Sequence, residues 1–139
     1  MYNSLEFICV PYTHDDPKIV GQRVHITQYI CAELSKQGRF VYSPIVHFFN
    51  IQNKFDMPMD WEYWKDLCKV AMVRCNKLTI IQLDGWENSV GVQAEIELGN
   101  AHAMPMQFLE PTEYIKNLKE MKLRYVYYID KTPQFDIYK

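Results

Sequence analysis

Basic clusters, long apolar runs and paired cysteines are all scarce in this chain, and each scarcity removes a class of function. Lys and Arg number 15 against 17 Asp and Glu, a net charge of −2. No stretch gathers the cations that a dedicated nucleic-acid binder needs, so nucleic acid is not an expected partner. No apolar run approaches the roughly 20 residues of a membrane span, so no membrane partner is expected either. The opening MYNSLEFICVPY has neither the basic start nor the cleavage pattern of a signal peptide. Cys9, Cys31, Cys68 and Cys75 form no CxxC pair. They read as reduced, mostly buried thiols of a cytoplasmic protein rather than as disulfides or zinc ligands. His14, His25, His47 and His102 lack metal-ligand spacing, so no metal is expected, and no other cofactor. GxGxxG, P-loop and GxSxG motifs are absent.

What is present is a core. With 48% apolar residues in 139, the chain reads as one globular domain over 1–139. Short apolar runs predict strands over 5–10, 40–42, 78–83, 106–109 and 125–129. Helical spacing predicts helices over 19–37, from Asp60 to Arg74, through 90–101 and over 112–122. The aromatic stretch 45–59 reads as an irregular loop, long enough to be a lid or binding loop. Strands alternating with helices imply an α/β fold, a parallel sheet covered on both faces.

The stretch DGWENSVGVQAEIELGNA, 84–101, carries the chemistry. A strand that ends in a turn and opens a helix presents free N–H groups and a positive dipole end, an anion site. Ser89 is a helix cap or a phosphate binder; both uses share one geometry. Glu95 and Glu97 stand about 200° apart on the helix, so only one of them can face a site. Val90, Ala94, Leu98 and Ala101 read as the sheet-facing stripe, with Glu95 and Glu97 on its flanks. Gly91, one turn before Glu95, leaves room for a ligand above it. Trp86 reads as core or as a stacking platform. Tyr12, Thr13 and His14 follow the first strand at the edge where ligands bind in such sheets. His47 lies in the aromatic stretch, and Arg23 reads as a surface or ion-pair residue.

FICVPYTH, SPIVHFF, DWEYW and LDGWENSVGVQAEIELGNA, with Pro105 after them, carry a resemblance. Together they resemble a small group of bacterial and phage proteins in the nucleoside 2-deoxyribosyltransferase-like superfamily. The densest part is GWxxSxGxxxE, met by Gly85, Trp86, Ser89, Gly91 and Glu95. The resemblance implies a single-domain, flavodoxin- or Rossmann-like three-layer sandwich with five parallel strands in order 2-1-3-4-5. It implies that Glu95 is the nucleophile toward an anomeric carbon. It also implies that Ser89, where enzymes acting on free nucleosides have aspartate, favours a 5′-phosphorylated ligand. Leaving-group protonation falls to Asp84 or Asp66. The resemblance departs at Phe7, where a tyrosine is common, at Val10, where the family has a small residue, and at Cys68, where an aspartate orients or protonates the base. The expected activity is therefore N-glycosidase or deoxyribosyl transfer on a small-molecule nucleotide. The alternative is a catalytically degraded pocket that sequesters a nucleotide-derived signal, for example of ADP-ribose type. A homo-oligomer is expected from the superfamily and from the exposed aromatics of 47–55, in bacterial cytoplasm or, if phage-encoded, that of the host.

Overall fold

Strands and helices alternate, and each helix starts where the sequence supplies a cap. The structure, a computed structural model, describes residues 4–122. β1 is Leu5–Cys9 and α1 is Pro17–Lys36. Asp16 caps α1 by accepting from Lys18 N at 2.9 Å, and Pro17 takes a first-turn position that needs no donor. β2 is Phe40–Tyr42, α2 is Pro44–Lys54, and α3 is Trp61–Met72, capped by Asp60. β3 is Lys77–Ile81, α4 is Val90–Ala101 and β4 is Met106–Leu109. Short 3-10 turns at Trp86–Asn88 and Pro111–Glu113 precede α4 and follow β4.

Two expectations fail in this list. The stretch 45–59 is not an irregular loop: most of it is α2. Ser43 accepts from Val46 N at 3.2 Å and Pro44 occupies the first turn, so the Ser-Pro that stops β2 also starts a helix. Nor is 112–122 one helix. Pro111–Glu113 makes a single tight turn, and Asn117 Oδ1 then accepts from Glu120 N at 3.0 Å to open a new helical stretch at 118–122. The strand expected at 125–129 lies outside the described residues.

The fold class is α/β with a parallel sheet. Among the described residues the sheet has four strands in order β2-β1-β3-β4, every pair parallel. The first connection runs one way across the sheet and the second runs back past β1, so right-handed crossovers place α1 and α3 on opposite faces. Two cores result. Ile8 and Val10 of the β1 strand and its exit pack with Ile26, Ile30 and Leu34 of α1. Phe7 and Cys9, which alternate with them, pack with Cys68 and Met72 of α3 and Val92 of α4. No described helix is long and apolar enough to cross a membrane.

The position of α4 also differs from expectation. Its buried residues are Val92, Glu95 and Gly99, spaced i, i+3, i+7, whereas Val90 is 71% exposed and Ala101 is exposed. The stripe read from Val90, Ala94, Leu98 and Ala101 is therefore not the sheet-facing one. The glycine decides this. A Cβ at Gly99 would lie 2.6 Å from Met106 Cε and 3.1 Å from Leu78 Cδ2, so the helix sits close enough that any added side chain must displace these two side-chain ends. Gly99→Ala is expected to be near neutral, because the Met106 terminus can swing aside and alanine favours the helix by up to about 1 kcal/mol. Gly99→Val is expected to cost about 1–3 kcal/mol by overpacking. Urea unfolding of the two variants measures this, and a valine variant as stable as the alanine one would refute the close approach.

Candidate functional site

The chain leaves β1 and β3 toward opposite faces, and the loops that follow part to leave a crevice at the carboxyl edge of the sheet. A cavity of about 670 Å³ occupies it. Ile8, Val10 and the Pro11–His14 loop form one wall; Gly85, Asn88–Gly91 and Glu95 form the other. Residues of α2 and α3, with the turn between them, cover it: Phe48, Gln52, Met59, Trp61, Trp64 and Cys68 among them. Tyr12, Thr13, His14, Ser89, Gly91 and Glu95, named from the sequence, are thus brought together.

Glu95 is the chemical centre. It is 9% exposed and lines the cavity, and among the described residues no nitrogen or oxygen donor hydrogen-bonds its carboxyl. Its polar neighbour is the buried Cys9 thiol. Burial pushes the Glu95 carboxyl up to about 8, against a smaller opposing pull from Cys9. Burial likewise raises the Cys9 thiol well above its ordinary value and the Cys68 thiol to about 12, with Glu95 adding to both. A second buried glutamate provides the contrast. Glu6 receives Arg39 at 2.6 and 2.8 Å and the Thr79 hydroxyl at 2.7 Å. Arg39 holds Glu6 below the usual carboxylate range despite its burial. One buried carboxylate is fully paired; the other faces empty space.

Ser89 caps α4 by accepting from Val92 N at 3.3 Å. The N–H groups of Val90 and Gly91, among the first donors of the helix, have no partner within it. Glu95, six residues on, stands about 9 Å further along the axis.

The walls are tied together. The Tyr12 hydroxyl donates to Gln52 Oε1 in a short bond, and the Thr13 hydroxyl reaches Met59 O at 3.3 Å. Burial raises the Tyr12 phenol to about 12, so it stays a donor. Trp64 Nε1 donates to Pro58 O at 2.6 Å. Arg23 of α1 spans both loops, donating to Thr13 O and Asp84 O at 2.9 Å each and to Tyr12 O at 3.4 Å.

Four sequence candidates lie outside the cavity. Trp86 stacks on Phe108 with centroids 5.7 Å apart and joins the α3-side core. His47 is exposed and stands edge-on to Phe48 at 4.7 Å. The Asp84 carboxylate is 91% exposed and pairs with Lys122 at 3.0 Å. Asp66 is exposed on α3 and does not line the cavity. Gly91 does not hold space open for a ligand: the Trp61 ring fills it, 3.3 Å from where a Cβ would be. Phe7 is fully buried beside Tyr42 and is not a wall of the cavity.

Sequence reasoning missed Gln52, Trp61, Trp64 and Arg23 as site residues. Gln52 was legible only as an unexplained polar residue among aromatics, and the tryptophans as an apolar helix face. Arg23 is not the surface or ion-pair residue that the sequence suggested: it is half-buried, and its partners are backbone carbonyls, which no sequence pattern reveals.

An α/β protein with a ligand-sized cavity at the switch point of a parallel sheet is the class that this fold and site define. The chain belongs to the family described as "Domain of unknown function (DUF1937)", whose model matches residues 5–110. That span contains every element bordering the cavity. A search of curated proteins gives no match.

The Glu95 environment has a consequence for stability. A carboxyl with a higher pKa folded than unfolded binds more protons in the native state. Its contribution is complete below about 4.5 and is lost as pH rises through about 8. Glu95→Gln escapes this loss. The unfolding free energy of the variant relative to the parent, from urea unfolding at each pH, is expected to climb between pH 5 and 8, by up to about 1.4 kcal/mol per pH unit, and to level off above. A constant difference across that range would mean that Glu95 titrates as an exposed carboxyl.

Proposed function

We propose that the cavity binds a 5′-phosphorylated nucleoside or deoxynucleoside and that Glu95 acts on its N-glycosidic bond, by hydrolysis or by transfer to a second base. One observation carries this reading: a glutamate nine-tenths buried, with no cationic partner among the described residues and only the Cys9 thiol bonded to it, faces a cavity whose rim is the start of its own helix. The resemblance through Gly85, Trp86, Ser89, Gly91 and Glu95 supports it. The phosphate sits at Ser89 and the first N–H groups of α4, and the aromatic cover receives the base. A Glu95 oxygen bonds to the anomeric carbon as the C–N bond breaks, and the base leaves with the electron pair and takes up a proton. Water, or a second base, then displaces Glu95 from the glycosyl ester. Asp84 and Asp66 stand outside the cavity, so this reading transfers the proton-donor role to Asp60 and Glu62, the other carboxyls that line it.

A second reading has its own support. Cys68 lines the cavity where the resemblance leads one to expect an aspartate, and its thiol, raised to about 12, stays neutral. A pocket so altered suits retention of a nucleotide without turnover. Four free thiols suit a reducing cytoplasm in either case. Phe48 packs on Trp64 at 4.9 Å, but Tyr63, Leu67 and Val70 form an exposed stripe on α3 that a second copy would cover. Light scattering is expected to give more than the mass of one chain; a monomer at working concentration would refute this.

If Glu95 is the nucleophile, Glu95→Gln abolishes release of free base while ligand binding persists. The parent's kcat/KM rises about tenfold per pH unit up to about 8, since only the ionised carboxyl attacks. If the pocket only sequesters, no base is released, and Glu95→Gln alters affinity by about 0.5–1.5 kcal/mol. Mass spectrometry of incubated nucleotides separates the two. Ser89→Asp places a charge where the phosphate is assigned, so titration calorimetry is expected to show a much larger loss for a nucleotide than for its nucleoside. Equal losses would remove the phosphate from this helix start.

A further inference from the structure

The carboxyl edge of the sheet holds a second cavity, of about 400 Å³. His14, Arg23 and Gly85 line both cavities and form the partition between them. Resting on the nucleotide reading above, we propose that the ligand is two-ended. It is a nucleoside 5′-diphosphate whose far phosphate is esterified by a neutral, hydroxyl-rich group such as a sugar. The nucleoside lies in the first cavity, the diphosphate crosses the partition, and the second group occupies the second cavity.

Arg23 is the first argument. Its guanidinium is half-buried, and the groups it bonds are backbone carbonyls of Tyr12, Thr13 and Asp84. Among the described residues no carboxylate lies within ion-pair distance of it, because Asp84 turns its carboxylate to Lys122. A guanidinium has five donors; three bonds to neutral carbonyls leave two donors free, and the charge is offset only at a distance, by the Asp84 carboxylate. A bridging anion supplies what is lacking. His14 is the second argument. Its Nδ1 accepts from Asp16 N at 2.9 Å, so the neutral ring carries its proton on Nε2 and adds a donor to the same partition. Gly85 is the third. It sits at φ 90°, and a Cβ there would lie 2.9 Å from Arg23 Nη2, so a side chain would displace the cation from the wall.

The second cavity's own lining defines the far end of the ligand. Gln82, Thr112, Glu110 and Asp84 offer hydrogen-bonding groups around it, with Lys122 beside them. The two carboxylates are balanced by Arg23 and Lys122, so this lining has no net charge to hold a terminal phosphate, and its carboxylates accept well from hydroxyls.

The test compares AMP and UMP with ADP-ribose and UDP-glucose by titration calorimetry. The parent protein is expected to bind one diphosphate ester at least about tenfold more tightly than the matching monophosphate. Thr112→Trp and Glu110→Trp, at exposed positions on the rim of the second cavity, are expected to lose that gain and keep monophosphate affinity. Using both guards against a folding defect in either, which thermal melts would reveal. Monophosphate binding with no gain from the ester, or a gain that survives both tryptophans, would overturn the two-ended ligand and leave the nucleotide reading standing. Failure of every probe to bind would overturn both.

Discussion

Everything at the carboxyl edge depends on the burial of one carboxyl group. Glu95 occupies the middle of the stripe by which α4 lies on the sheet, between Val92 and Gly99. Such a position normally takes an apolar side chain, since an ion there loses its hydration without return. The protein could have paired it, as it pairs Glu6 with Arg39 on the other face of the same sheet. It does not. The group is kept neutral at ordinary pH instead, and the space before it is left unfilled.

The rest of the fold holds that space at a fixed size. Arg23 fastens the loop after β1 to the loop after β3, and Tyr12 and Thr13 fasten the first of these to the cover. These bonds tie the two loops and the cover to one another. Trp61 against Gly91 does the same for α3 and α4. The two glycines of α4 thus serve packing rather than ligand access: Gly99 brings the helix down to Leu78 and Met106, and Gly91 admits the indole.

Much of the fold was legible in the sequence. Leu5–Cys9, Lys77–Ile81 and Met106–Leu109 are β-branched or apolar runs closed by Pro, Gly or Asp, and Asp16, Asp60 and Ser89 are caps whose side-chain oxygens do what their type predicts. α2 was hidden because Ser43-Pro44 has two local meanings, strand stop and helix start, and only packing of Phe48 on Trp64 selects the second. The face of α4 was hidden for a different reason. Hydrophobic periodicity locates a buried stripe only when the buried residues are hydrophobic, and here they include a glutamate and a glycine.

The sequence by itself determined the alternation of strands with α1, α3 and α4, the parallel α/β class and the presence of Ser89 and Glu95 on one helix, because each rests on local propensity or on residue spacing. Tertiary structure alone decided which residues meet. It put Gln52, Trp61 and Trp64 over the cavity and left Trp86, His47, Asp84 and Asp66 outside it. It also turned Arg23, which the sequence suggested as a surface or ion-pair residue, into the wall between two cavities. The physical reason is the same in each case: burial and partners are set by how helices cross a sheet, and a side chain's charge, reach and neighbours follow from that crossing rather than from its position in the chain.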